Sequence, residues 1–144
     1  MYPFKKLSEK ENEELLKFPA YISLLAANFE GQLDEVEKKS AIKFSHIKTF
    51  SCDPLLSEFY KAADKVFKQN IEVIDRELPK EKHNREAAIK QELQIMVQIA
   101  SKLGKKYAAT MHLGMESFKE HVSRAHNNVL VDFIFPISIP GLSD

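Results

Sequence analysis

Apolar residues recur at spacings of three and four along most of the chain, the mark of helices that bury one face. Ser8-Glu9-Lys10-Glu11 has the spacing of a capping box, in which the Ser8 hydroxyl accepts the Glu11 amide N–H and the Glu11 carboxylate reaches back. Leu15, Leu16, Ile22, Leu24, Leu25 and Ala26 follow, interrupted by Pro19. Proline removes a helical donor and crowds the preceding turn. The pattern therefore predicts a short helix to about Lys17 and a second with Pro19 at its first position, or one kinked helix. Gly31 supplies the stop, because glycine tolerates the left-handed conformation that closes helices.

Asp34 through Glu37 offers a second cap, opening a helix with Val36, Ser40, Phe44 and Ile47 on one face. Asp53-Pro54 is a third start signal, an acid at the cap followed by proline at the first helical position. Leu56, Phe59, Tyr60, Ala63, Val66, Phe67, Ile71 and Ile74 then form a long amphipathic stripe. Pro79 is read as the start of the next helix, with Ile89, Leu93, Met96, Val97, Ala100 and Leu103 inward. Ile95 and Ile99 widen that face, so this helix is expected to be the most buried. Gly104 stops it, and the last helix carries Tyr107, Met111, Met115, Phe118, Val122 and Ala125. Short connections favour antiparallel neighbours. The fold class read from this pattern is all-α: a compact bundle of about five to six helices in a single domain spanning residues 1–144.

The end of the chain breaks the pattern. From Val129 to Gly141 the sequence is β-branched, aromatic and interrupted by Pro136 and Pro140, which excludes a long helix. Left in water such a segment is an aggregation hazard. Residues 129–144 are therefore expected to lie extended across their own bundle or across a partner subunit. Val131, Phe133, Phe135 and Ile137 are the candidate partner-binding residues. Homodimers being the commonest oligomers, a second copy of the chain is one candidate partner and an unidentified protein the other.

Composition narrows the classes of function. The 21 basic and 21 acidic residues balance, leaving no excess charge to hold nucleic acid or an anionic membrane. Residues 1–40 carry a small acidic excess and 81–128 a basic one, while the tail from 129 has Asp132 and Asp144 and no basic residue. No stretch approaches the roughly 18 apolar residues of a membrane span. The opening Met1 to Glu9 is charged and leads into no signal-like apolar run, so a cytoplasmic location is the expectation. The single cysteine, Cys52, excludes an intrachain disulfide and a multi-cysteine metal site. Its place before a helix start invites a lowered thiol pKa, but the sequence sets no histidine or second cysteine beside it, and an incidental thiol is the simpler reading.

The turn between the second and third helical segments reads Ala26-Ala27-Asn28-Phe29-Glu30-Gly31-Gln32-Leu33-Asp34-Glu35-Val36-Glu37. It resembles an EF-hand loop with Gly31 in the sixth place. Asn28 and Glu30 then take the third and fifth places, Asp34 the ninth and Glu37 the twelfth, so Asn28, Glu30, Asp34 and Glu37 are the candidate ligands for a divalent cation. Ala26 stands first, where that loop needs an acid. The same stretch also resembles the TerB-like family, named for tellurite-resistance proteins, through Ala26, Ala27, Glu30, Gly31, Leu33, Asp34, Glu35 and Glu37. The usual aspartate before the glycine is Glu30 here. This resemblance, centred on residues 22–44, implies an all-helical fold and an acidic patch sometimes linked to metal ions or stress responses, with no defined reaction. Each acid also has a plain structural role: Asp34 caps a helix, and Glu35 and Glu37 favour its positive end.

His46, His83, His112, His121 and His126 form no Glu-x-x-His or His-x-x-x-His pair, and His112 with Glu116 is the best local couple. Lys102, Lys105 and Lys106 cluster around Gly104, as helix ends commonly do. No phosphate loop, nucleophile elbow or other catalytic motif occurs. The leading functional expectation is a non-enzymatic protein-interaction module without a cofactor. The alternative is a metal-ion or small-ligand binder using the acidic turn at 28–37. An enzyme assembled from several helices is the third reading.

Overall fold

The structure, a computed structural model, describes residues 3–27 and 35–123. The Ser8 hydroxyl accepts the Glu11 amide at 3.1 Å and the Glu11 carboxylate accepts the Ser8 amide at 3.0 Å, so the capping box opens α1 (Glu9–Leu16). The single residue Lys17 separates α1 from α2 (Phe18–Ala27), which places Pro19 second in its helix, where no intrahelical donor is lost. Then come α3 (Glu35–Ser51), a 3₁₀ turn (Pro54–Leu56), α4 (Ser57–Glu77), α5 (Lys82–Ser101) and α6 (Lys105–Ser123). No strand occurs among the described residues. Asp53 caps the 3₁₀ turn, its Oδ1 accepting the Leu55 amide at 2.9 Å, and α4 continues directly from it. Gly104 sits at φ 105°, the left-handed stop its position requires. The predicted stops at Gly31 and the end of the last helix at Ala125 lie outside the described residues.

α5 begins at Lys82 rather than Pro79. The Glu81 carboxylate accepts the amides of His83 at 2.8 Å and Asn84 at 3.1 Å, taking the place of a Ser, Thr, Asp or Asn cap. The most buried helix is α2 and not α5, where Ile95 faces outward. Phe18, Ala20, Tyr21, Ile22, Leu24, Leu25 and Ala26 are buried around the whole circumference of α2, which packs against α4, α5 and α6. A helix apolar on every side has no face to offer water and belongs in the middle of a bundle. Ser23, the one polar side chain in that run, donates to the Pro19 carbonyl at 2.9 Å and so adds no unpaired group to the core.

Around α2, the predicted stripe of α4 faces inward, with Phe59, Tyr60, Ala63, Phe67, Ile71 and Ile74 buried. Ser45 and His46 on α3 meet Asp64 on α4, while Lys38 meets Asp75, so α3 and α4 run antiparallel. Arg85, buried in the first turn of α5, pairs with the Asp75 carboxylate and donates to the carbonyls of Asp75 and Pro79, which clamps the α4–α5 connection. Asn12 fastens the N-terminal segment to α1. Its amide oxygen accepts the Phe4 N–H at 3.1 Å and its amino group donates to the Phe4, Leu7 and Ser8 carbonyls. No helix of the described residues is long and apolar enough to cross a membrane.

Candidate functional site

The face read along α3 from Val36, Ser40, Phe44 and Ile47 divides between solvent and the edge of the bundle. Its inner face carries small or polar side chains, Ala41 and Ser45, flanked by half-buried Ile42 and Cys52. The Ser45 hydroxyl donates to Asp64 Oδ1 at 3.0 Å, and His46 Nδ1 lies 3.1 Å from Asp64 Oδ2. These contacts fix the rotation of α3 against α4 and leave Val36, Ile47 and Phe50 outward. Val36 is 77% exposed, Ile47 43% and Phe50 80%, while Ser40 and Phe44 are half-buried at the edge. At 3.6 residues per turn Val36, Ile47 and Phe50 fall within about 60° of the helix circumference, and their Cα atoms span about 21 Å along the axis.

Positive charge is interleaved with this stripe. Lys39 is exposed at its edge and Lys43 within it, between Ile47 and Phe50 around the circumference. Both lysines also line a groove of about 510 Å³ between α3 and α4, with Lys38, Lys68, Glu35 and Glu72, over Ile42. The His46 ring meets the Phe50 ring edge-on, with centroids 5.5 Å apart, and so helps hold Phe50 in its outward position. What α3 offers is an outward helix face on which Val36, Ile47 and Phe50 are interspersed with lysines, a combination suited to docking another polypeptide.

A second groove, of about 430 Å³, runs between α1 and α5 and is lined by Lys10, Glu11, Glu14, Glu92, Ile95 and Ile99. Burial, together with the hydrogen bond and charge of Glu14, holds the Glu92 carboxyl above its ordinary value, and Lys17 opposes that rise. Glu11 instead pairs with Lys102 across the groove, a contact that holds its carboxyl below the usual range.

The remaining sequence candidates are distributed as follows. Asn28, Glu30 and Asp34 lie outside the described residues, and Glu37 falls in the first turn of α3, where only its backbone is described. Val131, Phe133, Phe135 and Ile137 also lie outside them. His112 and Glu116 do meet, at 3.2 Å within α6. Among the described residues no group of three or more His, Cys, Asp or Glu side chains is placed to hold a metal ion. Cys52 is half-buried, and burial pushes its thiol up despite nearby Lys48, the opposite of what a reactive thiolate needs. The sequence pattern grouped Val36, Ser40, Phe44 and Ile47 on one face without Phe50, and in the structure that group divides between surface and edge. The signal available was the second set of Ala41, Ser45 and Cys52, small residues at helical spacing on the opposite side.

No protein-family model, no curated protein and no solved structure matches this chain.

Proposed function

We propose that the chain is a non-enzymatic helical protein-interaction module, resembling TerB-like proteins, and that the outer face of α3 is its docking surface. The observation that carries this reading is the outward stripe of Val36, Ile47 and Phe50, interspersed with Lys39 and Lys43. Exposed aromatic and aliphatic side chains gathered on one rigid helix face are the usual anchors of a protein contact. The TerB-like part of the proposal is supported by the Ala26-Ala27 end of an apolar helix, the Glu30-Gly31 turn and the acidic start of the next helix. The absence of a catalytic motif from the sequence agrees with a binding role.

The test compares the full-length chain with a Val36→Ser/Phe50→Ser variant as bait, with bound proteins quantified by mass spectrometry. A partner so identified is then purified and titrated against both chains. The docking reading expects affinity to fall about tenfold or more in the variant, the loss of at least one central anchor. Equal affinity for both chains would refute the assignment of the surface to α3.

A further inference from the structure

We propose that the groove between α3 and α4 binds the phosphoryl group of a small anion through Lys39, Lys43 and Lys68. The site stands independently of what docks on the outward face of α3.

The two ends of the groove are matched in charge and its middle is not. At one end Lys38 of α3 lies 3.9 Å from the Asp75 carboxylate of α4 and 3.7 Å from that of Glu35. At the other, Asp64 of α4 accepts the Ser45 hydroxyl at 3.0 Å and meets His46 at 3.1 Å. Between these contacts Lys39 and Lys43, one turn apart on α3, line the same space as Lys68 of α4. All three are exposed, and among the described residues none of them makes an ion pair. Glu72 stands one turn along α4 from Lys68 and is not paired with it. Three cations converging on one concavity raise the positive potential there and draw an anion in.

Charge and size identify the ligand class. Four lysines and two glutamates line the groove, an excess of two positive charges. A phosphate monoester carries about −1.5 to −2 near neutral pH and presents three acceptor oxygens, one for each unpaired ammonium. A carboxylate brings a single charge and two oxygens. The volume of about 510 Å³ falls within the range of small-molecule sites and leaves space over Ile42 for the remainder of a ligand. The 21 basic and 21 acidic residues of the chain balance, so the attraction is local to this groove. That suits a small anion rather than a nucleic acid or an anionic membrane, which would need an extended basic surface.

The experiment titrates the full-length, isotopically labelled chain with sodium tripolyphosphate and, separately, with adenosine triphosphate, at physiological ionic strength and without divalent cations. The groove variant is Lys43→Gln/Lys68→Gln. Lys5→Gln/Lys6→Gln removes the same charge from the exposed N-terminal segment and serves as the control. Circular dichroism establishes that each variant keeps its helices. The proposal expects saturable binding with amide shifts concentrated at Lys39, Ile42, Lys43 and Lys68. The dissociation constant should rise about tenfold or more in the groove variant and stay within about twofold in the control. Tighter binding of adenosine triphosphate assigns the site to an organic phosphate that uses the space over Ile42, and equal or weaker binding assigns it to inorganic phosphoryl anions. No saturable binding of either probe at millimolar concentration, or an equal loss in the two variants, overturns the proposal.

Discussion

Gly114 lies in the interior of α6, where the buried ring of Tyr60 on α4 crosses it. A methyl group built at Gly114 overlaps the Tyr60 hydroxyl oxygen, while Tyr60 Cζ at 3.4 Å and Leu56 Cδ1 at 3.5 Å remain in ordinary contact. The conflict is thus with one atom. Gly114→Ala gains about 1 kcal/mol of helix propensity. Forcing Tyr60 aside in a filled core costs about 1–3 kcal/mol. The expected net effect is a loss of up to about 2 kcal/mol, or a fall in Tm of up to about 8 °C for a chain of this length. Tyr60→Phe deletes the conflicting oxygen, so the double variant should recover most of the loss. Urea unfolding of all four chains, followed by far-UV circular dichroism, measures the coupling between the two sites. A Gly114→Ala chain clearly more stable than its parent, or a coupling below about 0.5 kcal/mol, would refute this account of the α4–α6 contact.

Three further outcomes follow from the contacts described. Asn12→Ala strands the Phe4 amide and the Leu7 carbonyl, while the Phe4 carbonyl keeps the Leu7 N–H, with an expected cost of about 2 kcal/mol and early hydrogen exchange at Phe4; an unchanged urea midpoint would contradict it. The raised Glu92 carboxyl binds its proton more tightly in the native state, so its contribution is fully present below the ordinary value of 4.5 and is lost as pH rises through the raised value. Glu92→Gln should therefore raise stability at neutral pH by about half a kcal/mol, a modest figure because the pair is largely solvated, and the gain should vanish in acid. A difference in Tm that is constant with pH would exclude that origin. Finally, calcium is expected to leave Tm unchanged, because Ala26 stands where the loop needs an acid. A bound ion at 100 times its dissociation constant would add about 2.7 kcal/mol, so an upward shift abolished by Glu37→Gln would establish the cation reading instead.

The helices most legible in the sequence are those in which one physical signal acts alone. α4 has a single apolar stripe and α1 a complete capping box, and both form where their residues indicate. α2 was harder to place, because a helix apolar on all sides has no directional pattern to show which neighbours surround it. The direction of the α3 face was open for the opposite reason. It carries two sets of apolar positions, and the choice between them was made by the side chains of Asp64 and Ser45, nineteen residues apart in sequence. Glu81 displaced Pro79 as the start of α5 because a glutamate carboxylate bent back to take two amides, an arrangement that capping preferences do not favour. The candidate surface was accordingly present in the sequence as residues, but its outward direction was a property of the packed α3–α4 pair.

The central place of α2 also bears on the making of the protein. α2 is complete at Ala27, yet one of its main neighbours, α6, runs to Ser123, roughly a hundred residues later. At 5–20 residues per second a ribosome needs about 5–20 s to supply that stretch. Throughout that interval the most apolar helix of the nascent chain lacks part of its permanent surroundings. A Phe-Pro-Ala-Tyr-Ile-Ser-Leu-Leu segment in this state is a natural client for chaperones that hold exposed apolar chain. The helix at the centre of the finished bundle is thus the one that waits longest for its surroundings to be complete.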